Sequence, residues 1–275
     1  MLVGETGAVN GLLKKIEKSF LIGMSTLYIV ATPIGNLEDI TLRAIRILKE
    51  VDLILCEDTR TTKKLLDHYQ IKTPTLSYHQ HSKLQKINYI LELLKEGKPH
   101  TRTKFGVGLA PYRNEVSGGG NLALVSEAGT PGISDPGNKL ISQLISELGK
   151  EVKITPVPGP SAVTAAASIS GFPMEKFLFL GFPPAKRKRR KFFEEVVNSK
   201  YPVIFYESPY RIIRTLNELK LATGDKRQEI RIMVARELTK KFETIYRGRI
   251  EEVMEKIEKD KIKGEFVIIF NKINQ

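Results

Sequence analysis

The chain has 275 residues, with 44 lysines and arginines against 31 aspartates and glutamates, for a net charge of +13. Hydrophobic residues make up 41% and charged residues 27%, a globular composition that excludes wholesale disorder and collagen-like structure. The single cysteine, Cys56, excludes a disulfide framework and any multi-cysteine zinc or iron–sulfur centre. The four histidines show no zinc-protease spacing, so no metal is expected. The basic balance favours a polyanionic partner such as nucleic acid.

No apolar run reaches the roughly 20 residues that span a bilayer, so no membrane association is expected. Lys14, Lys15 and Lys18 precede an apolar stretch that imitates a signal peptide, but Ser25 and Thr26 interrupt it and no small-x-small cleavage site follows. Residues 1–23 therefore read as an N-terminal extension, with Met24 as an alternative start, of a chain expected in the reducing cytoplasm. Short β-branched runs then alternate with helical patterns. The predicted strands are Leu27–Ala31, Leu53–Cys56, Leu122–Ser126, Val152–Thr155, Phe177–Leu180, Val203–Tyr206, Ile230–Ala235 and Phe266–Phe270. Residues 42–48 and 84–94 carry amphipathic helix spacing. This alternation predicts α/β units with largely parallel sheets.

Pro156, Pro158 and Pro160 punctuate five residues and should end a strand ladder. The predicted boundary falls there, giving an N-terminal α/β domain over 24–158 and a C-terminal one over 159–275. Two open sheets side by side would leave a cleft where ligands sit. Residues 97–120 show no periodicity and hold His100, Arg102, Lys104 and Arg113, reading either as a plain connection or as a basic lid.

The loops after the strands carry the chemistry. Thr32-Pro33-Ile34-Gly35-Asn36-Leu37-Glu38-Asp39 follows the first strand and lets backbone approach a ligand closely. Cys56-Glu57-Asp58-Thr59-Arg60 puts two acids and a base at the second strand's end. Ser126-Glu127-Ala128-Gly129-Thr130-Pro131-Gly132-Ile133-Ser134-Asp135-Pro136-Gly137 packs glycines and prolines into a loop whose main chain suits a flat heterocycle. Asp135 is expected to cap the helix that follows and Pro136 to open it. A small-residue helix is expected over residues 161–168, with Ser161 as its cap. Two further strand ends carry Tyr206-Glu207 and Arg236-Glu237-Leu238-Thr239-Lys240. The run Lys186, Arg187, Lys188, Arg189, Arg190, Lys191 reads as a phosphate contact, because a helix N-terminus is a poor place for cations. P-loop, dinucleotide, nucleophile-elbow and HExxH patterns are absent.

Taken in order, these strings, with Pro158-Gly159-Pro160-Ser161-Ala162 and Gly264-Glu265-Phe266, resemble the small-subunit ribosomal RNA methyltransferase I family of the tetrapyrrole-methylase fold group. The likeness runs from about Met24 to the C-terminus. It implies two α/β domains with mixed sheets around a central cleft, a homodimer, and S-adenosylmethionine as methyl donor without a metal. The implied reaction is 2′-O-methylation of cytidine 1402 in the decoding-centre helix of 16S rRNA, in the 30S ribosomal subunit. By the resemblance, Glu127, Ala128, Gly129, Thr130, Ile133, Ser134 and Asp135 cradle the donor together with Ser161 and Ala162. Pro33, Gly35, Tyr206, Ala235 and Gly264 contribute from other strand ends. Two departures stand out: Glu127 replaces the family's usual aspartate, and about 20 extra residues precede the Leu122 strand.

Methyl transfer to a ribose hydroxyl needs alignment and a nearby base. The catalytic candidates are Asp39, Asp58, His79, Glu207 and Lys240 as bases, with Arg60 as a charge partner. Lysine serves as a base only if burial or neighbouring cations keep it neutral. The rival readings are a same-fold methylase acting on a tetrapyrrole or a protein, and a non-catalytic RNA-binding protein. The second would not need the glycine–proline loop.

Overall fold

The computed structural model describes residues 25–79, 82, 84–96, 120–135, 137–224 and 230–273. The N-terminal extension, residues 97–119 of the aperiodic loop, His81 and Pro136 lie outside them. The described residues divide into two units. One comprises the chain up to Thr32 together with Ile40–Gly159, and the other Pro33–Asp39 together with the chain from Pro160.

The first unit is built on a five-stranded sheet in the order β3-β2-β4-β1-β5. Its strands are β1 (Ser25–Val30), β2 (Leu53–Cys56), β3 (Thr75–Ser77), β4 (Leu122–Val125) and β5 (Val152–Val157), and every pairing is parallel. β2 and β4 are buried along their whole length, as expected where helices cover both faces. Alternate residues serve opposite faces. Leu122 and Leu124 pack with α3 (Leu84–Glu96) and α4 (Gly137–Leu148), while Ala123 and Val125 pack with α1 (Leu42–Glu50) and α2 (Thr59–His68). Thr41 caps α1, its Oγ1 accepting from the Ala44 N–H at 3.0 Å, a bond typically worth about 1 kcal/mol.

The proline cluster does not end the ladder. β5 continues through Pro156, opposite Ile29, to Val157. β5 is an edge strand, where a residue without an N–H is tolerated on the open side.

The second unit has the order β6-β7-β10-β8-β9. Its strands are β6 (Leu178–Phe179), β7 (Val203–Glu207), β8 (Ile230–Arg236), β9 (Thr244–Gly248) and β10 (Phe266–Lys272). Only β6 and β7 pair in parallel, so the sheet is mixed rather than largely parallel. The difference comes from β10, which runs antiparallel to both β7 and β8, and from β9, which alternation with helices did not signal. It follows β8 after a short turn and pairs back antiparallel, which needs no crossover helix. One face packs on α6 (Arg189–Asn198), α7 (Ile212–Thr223) and α8 (Ile250–Lys259), with Phe192, Phe205, Leu216 and Ile268 at its centre. The other packs on α5 (Ala162–Ser168) and Ile34. Among the described residues no helix is long and apolar enough to cross a membrane.

Segment Pro33–Asp39 is held to the second unit by the β8–β9 turn. The Asn36 N–H donates to Thr239 Oγ1 at 3.1 Å. A Cβ on Gly35 would lie 2.8 Å from Thr239 Oγ1 and 2.9 Å from the Leu238 carbonyl oxygen, besides meeting Lys240 Cγ. Gly35 is therefore a packing glycine. Gly35→Ala should destabilise the protein by about 1–3 kcal/mol, read as a lower urea midpoint with an unchanged slope.

Candidate functional site

In the first unit the loop after β4 is closed by main-chain bonds to the end of β1. The Thr32 N–H donates to the Gly129 carbonyl at 2.9 Å, and the Gly129 N–H donates back to Thr32 at 3.0 Å. Thr32 Oγ1 donates to the Ser126 carbonyl at 3.2 Å, and Ser126 Oγ donates to the Gly129 carbonyl at 3.1 Å. Gly129 and Gly132 lie at φ +83° and +84°, and Ser134 also has positive φ at +64°. Glycine takes that conformation without strain, whereas Ser134 holds it at a cost. Asn138 Nδ2 donates to the Gly132 carbonyl at 2.9 Å and ties the loop to α4. The Gly129 main chain thus holds the loop shut, and the surface it leaves exposed is Glu127, Ala128, Ile133 and Ser134.

Three carboxylates gather around this loop. Burial pushes the Asp135 carboxyl up from 3.8 to about 6, against a hydrogen bond from Ser126 and with added repulsion from Glu127. Burial also raises Glu57, with repulsion from Asp135 and Glu127. Glu57 is a participant that strand-end composition flagged without assigning it a role. In a chain of net charge +13, this unit presents a local excess of negative charge. Such a place favours a cation, which would relieve both the repulsion and the cost of burial.

The other first-unit candidates sit at the neighbouring strand ends. Asp58 caps α2, accepting from the Arg60 N–H at 2.8 Å, and is bridged by the Arg60 guanidinium at 3.0 Å. Those bonds hold its carboxyl below the usual range, which makes it a weak proton acceptor. His79 follows β3 with its ring exposed, its N–H donating to Ser82 Oγ at 3.0 Å. The adjacent Tyr78 N–H donates to the Cys56 carbonyl at 2.7 Å, so His79 lies beside the Cys56–Arg60 string.

In the second unit Glu207 is fully buried. Arg211 pairs with it at 2.8 Å and Thr215 Oγ1 donates to it at 2.5 Å, so it is engaged in the fold. Lys240 Nζ sits between Glu237 Oε1 and Glu265 Oε2, at 2.8 Å from each. Although burial opposes it, those carboxylates raise the lysine's pKa, which excludes the neutral amine that a base requires. Gly264, at φ +88°, lies directly under the Glu237 side chain and leaves no space for a Cβ. Ala235 is buried in the sheet and paired on both sides. Tyr206 stacks edge-on against Phe179 at 5.1 Å. Ser161 occupies the N-cap of α5 but its hydroxyl makes no capping bond. Pro33 is buried, and Asp39 is exposed at the end of a single 3-10 turn.

The basic run divides. Lys186, Arg187, Lys188, Arg190 and Lys191 are exposed, but Arg189 is 4% exposed. Its Nε donates to Glu218 at 2.6 Å, one terminal nitrogen to Thr215 Oγ1 at 2.8 Å and the other to the Pro184 carbonyl at 2.8 Å. Arg189 therefore anchors α6 to α7 and is withdrawn from the phosphate-contact set, because every face of its guanidinium is occupied. Run composition hides this. Only the helical register, which turns Arg189 inward with Phe192 and Phe193, reveals it.

A family model described as tetrapyrrole (corrin/porphyrin) methylases matches residues 26–254. A protein of Thermotoga maritima named ribosomal RNA small subunit methyltransferase I is 42% identical over 90% of this chain and 99% of its own length. The protein of that name from Bacillus subtilis is 41% identical over 90% of this chain and 75% of its own length. Among solved structures, a cobalt precorrin-4 methyltransferase superposes with a TM-score of 0.59 at 16% identity, over 90% of this chain and 94% of that one. A Thermus thermophilus uroporphyrin-III C-methyl transferase complexed with S-adenyl homocysteine gives 0.54 at 18% identity, over 90% and 98%. At that identity the two structures speak for the fold.

Two predictions follow from these networks. Arg189→Ala should cost about 1–3 kcal/mol in urea denaturation, because three hydrogen bonds from a buried guanidinium are lost although Glu218 keeps Arg214 and Thr215 keeps Glu207, while Arg190→Ala stays within about 0.5 kcal/mol. With Asp135 titrating near 6 when folded and 3.8 as its ordinary value, the native state holds the extra proton between about pH 4 and 6. Stability should therefore fall across that window as pH rises. Asp135→Asn removes the fall, so the variant should gain on the parent by on the order of 1–2 kcal/mol by pH 7, measured as urea midpoints at stepped pH.

Proposed function

Because the chain belongs to the tetrapyrrole (corrin/porphyrin) methylase family and, within it, to the ribosomal RNA small subunit methyltransferase I group, we propose that it methylates the ribose 2′-hydroxyl of a cytidine in the decoding-centre helix of 16S rRNA. The donor in this reading is S-adenosylmethionine, and the substrate is the 30S subunit or its rRNA. The enzyme works as a homodimer in the cytoplasm.

The observation that carries the proposal is the trio Glu57, Glu127 and Asp135 around the closed loop after β4. The donor, when bound, supplies a methyl group activated by its positively charged sulfur. Glu57, Glu127 and Asp135 provide a negative field that suits the sulfonium and ammonium groups of a donor with net charge +1, in a unit of an otherwise basic protein. Ile133, 46% exposed, gives an apolar surface beside them. Thr32, Ser126 and Gly129 keep the loop in one shape, so binding does not first have to order it. Ser161, Ala162 and Tyr206 remain donor contacts in this reading. Gly35, Ala235 and Gly264 serve it indirectly, by packing the turns that carry the contacts.

Deprotonation falls to His79. Lys240 is held as a cation, Glu207 is engaged in the fold, and Asp58 is stabilised as the anion by Arg60. Asp39 is the remaining carboxylate. An imidazole is the side chain that most often takes a proton in general-base catalysis. Lys186, Arg187, Lys188, Arg190 and Lys191 meet the RNA backbone.

The test is transfer of labelled methyl groups from S-adenosylmethionine to 30S particles lacking the modification, with the product located by mass mapping of the rRNA. Ribose label on one decoding-centre cytidine is expected. Label on a base, on protein or nowhere refutes the proposal. His79→Gln should lower kcat by about 10²–10⁴-fold, with donor affinity unchanged by equilibrium dialysis.

A further inference from the structure

The second unit carries a groove that the methyl-transfer site does not use. It has a volume of about 670 Å³ and is lined by Lys176, Lys200, Arg231 and Lys272, by Phe172 and Tyr201, and by a single carboxylate, Glu175. It lies at the end of the second sheet opposite the strand ends that carry Glu207, Ala235 and Phe266. Tyr201 lies two residues before β7, Arg231 is the second residue of β8 and Lys272 ends the antiparallel β10, whereas Glu207, Ala235 and Phe266 sit at or next to the opposite ends of those strands. Along β10, from Lys272 to Phe266, the separation is about 20 Å.

The groove is preformed. Ser199 Oγ donates to the Tyr201 carbonyl at 2.8 Å and accepts from the Tyr201 N–H at 3.1 Å, which fixes the turn presenting the ring. On the other wall, Ser170 Oγ accepts from the Phe172 N–H at 3.1 Å and donates to the Ala167 carbonyl at 2.9 Å. Tyr201 is 48% exposed. Lys176 Nζ lies 5.9 Å from its ring centroid. Charge and aromatic surface are thus presented together by rigid turns. The three lysines face a single lining carboxylate, so the groove carries a net positive charge that favours a polyanion. The exposed ring beside them offers a stacking surface. Cations that follow a backbone, with an aromatic for a base, are the recognition chemistry of single-stranded nucleic acid. A free nucleotide would use the ring but leave several of the cations without a phosphate.

We propose that this groove is a second RNA contact, which grips a single-stranded segment of the substrate rRNA through Lys176, Lys200 and Lys272 and stacks a base on Tyr201. The proposal rests on the reading of rRNA as substrate. Its role is affinity and register: the groove holds RNA about 20 Å along the sheet from the strand ends implicated in methyl transfer.

The experiment uses the full chain, with Lys200→Ala/Lys272→Ala and Tyr201→Ala variants, and measures binding to 30S particles across a salt series together with methyl transfer. The double lysine variant should bind roughly three- to tenfold more weakly and lower the slope of log K against log salt by about 1.4, at about 0.7 per lost single-strand phosphate contact. Tyr201→Ala should bind more weakly with the slope unchanged. Both should raise KM for the particle and leave kcat and S-adenosylmethionine affinity as in the parent, and Lys200→Arg/Lys272→Arg should restore the slope. If the parent methylates 30S particles while every variant matches it in affinity and slope, the groove is not an RNA contact and the functional reading survives. If the variants change sedimentation from dimer to monomer and leave RNA affinity intact, the groove joins two copies of the chain and the proposal is overturned. If the parent neither binds nor methylates the particle, both readings fall.

Discussion

Two main-chain hydrogen bonds between Thr32 and Gly129 hold the first unit's chemistry in place. They join the end of β1 to the loop after β4, and Thr32 Oγ1 and Ser126 Oγ reinforce them from the side. Without that closure a loop rich in glycine and proline would sample many shapes, and its carboxylates would relax away from one another into water. With it, Glu57, Glu127 and Asp135 stay close enough to raise the cost of charging the buried members. The parallel sheet supplies the frame. Its strands end together, so the loops after β1, β2, β3 and β4 gather at one edge, and the acids, the Asp58–Arg60 pair and His79 become neighbours although they are far apart in sequence.

The second unit divides its charges differently. Arg189, Glu207 and Arg211 are spent on fixing helices to the sheet, and Glu237, Lys240 and Glu265 on fixing a turn in which Glu237 and Thr239 both take positive φ. Burying charged groups is costly, and it is sustained here because each is paired and hydrogen-bonded. These residues look catalytic in a sequence because acids and bases at strand ends look alike whatever they do. Their partners, which only the fold assembles, separate the structural ones from the rest.

The strands were legible because apolar β-branched runs at buried positions have few other uses, and α1 because of its amphipathic spacing. The helix cap at Ser161 was less so, since a cap is a geometry and not a composition. β9 was not read, because Thr244–Gly248 mixes exposed and buried residues at a sheet edge, where pairing is decided by the neighbouring strand. Pro156 misled because proline is forbidden only where its nitrogen must donate, and sequence does not say which side of a strand is open. Of the site, the glycine–proline loop announced itself through backbone requirements. The acidic trio did not, because Glu57 and Asp135 are far apart in the chain and interact only through the order β2-β4. Arg189 was misplaced because a run of like charges conceals a helical phase of 100° per residue.

The excursion of Pro33–Asp39 out of the first unit bears on how the chain is made. These seven residues leave the ribosome early, yet the turn that receives Gly35 and Asn36 is translated about 200 residues later. During synthesis the first sheet has β1 to offer its neighbours while the adjoining stretch waits for a docking surface that does not yet exist. Ile34 is therefore an apolar side chain that stays uncovered until the second unit has been made.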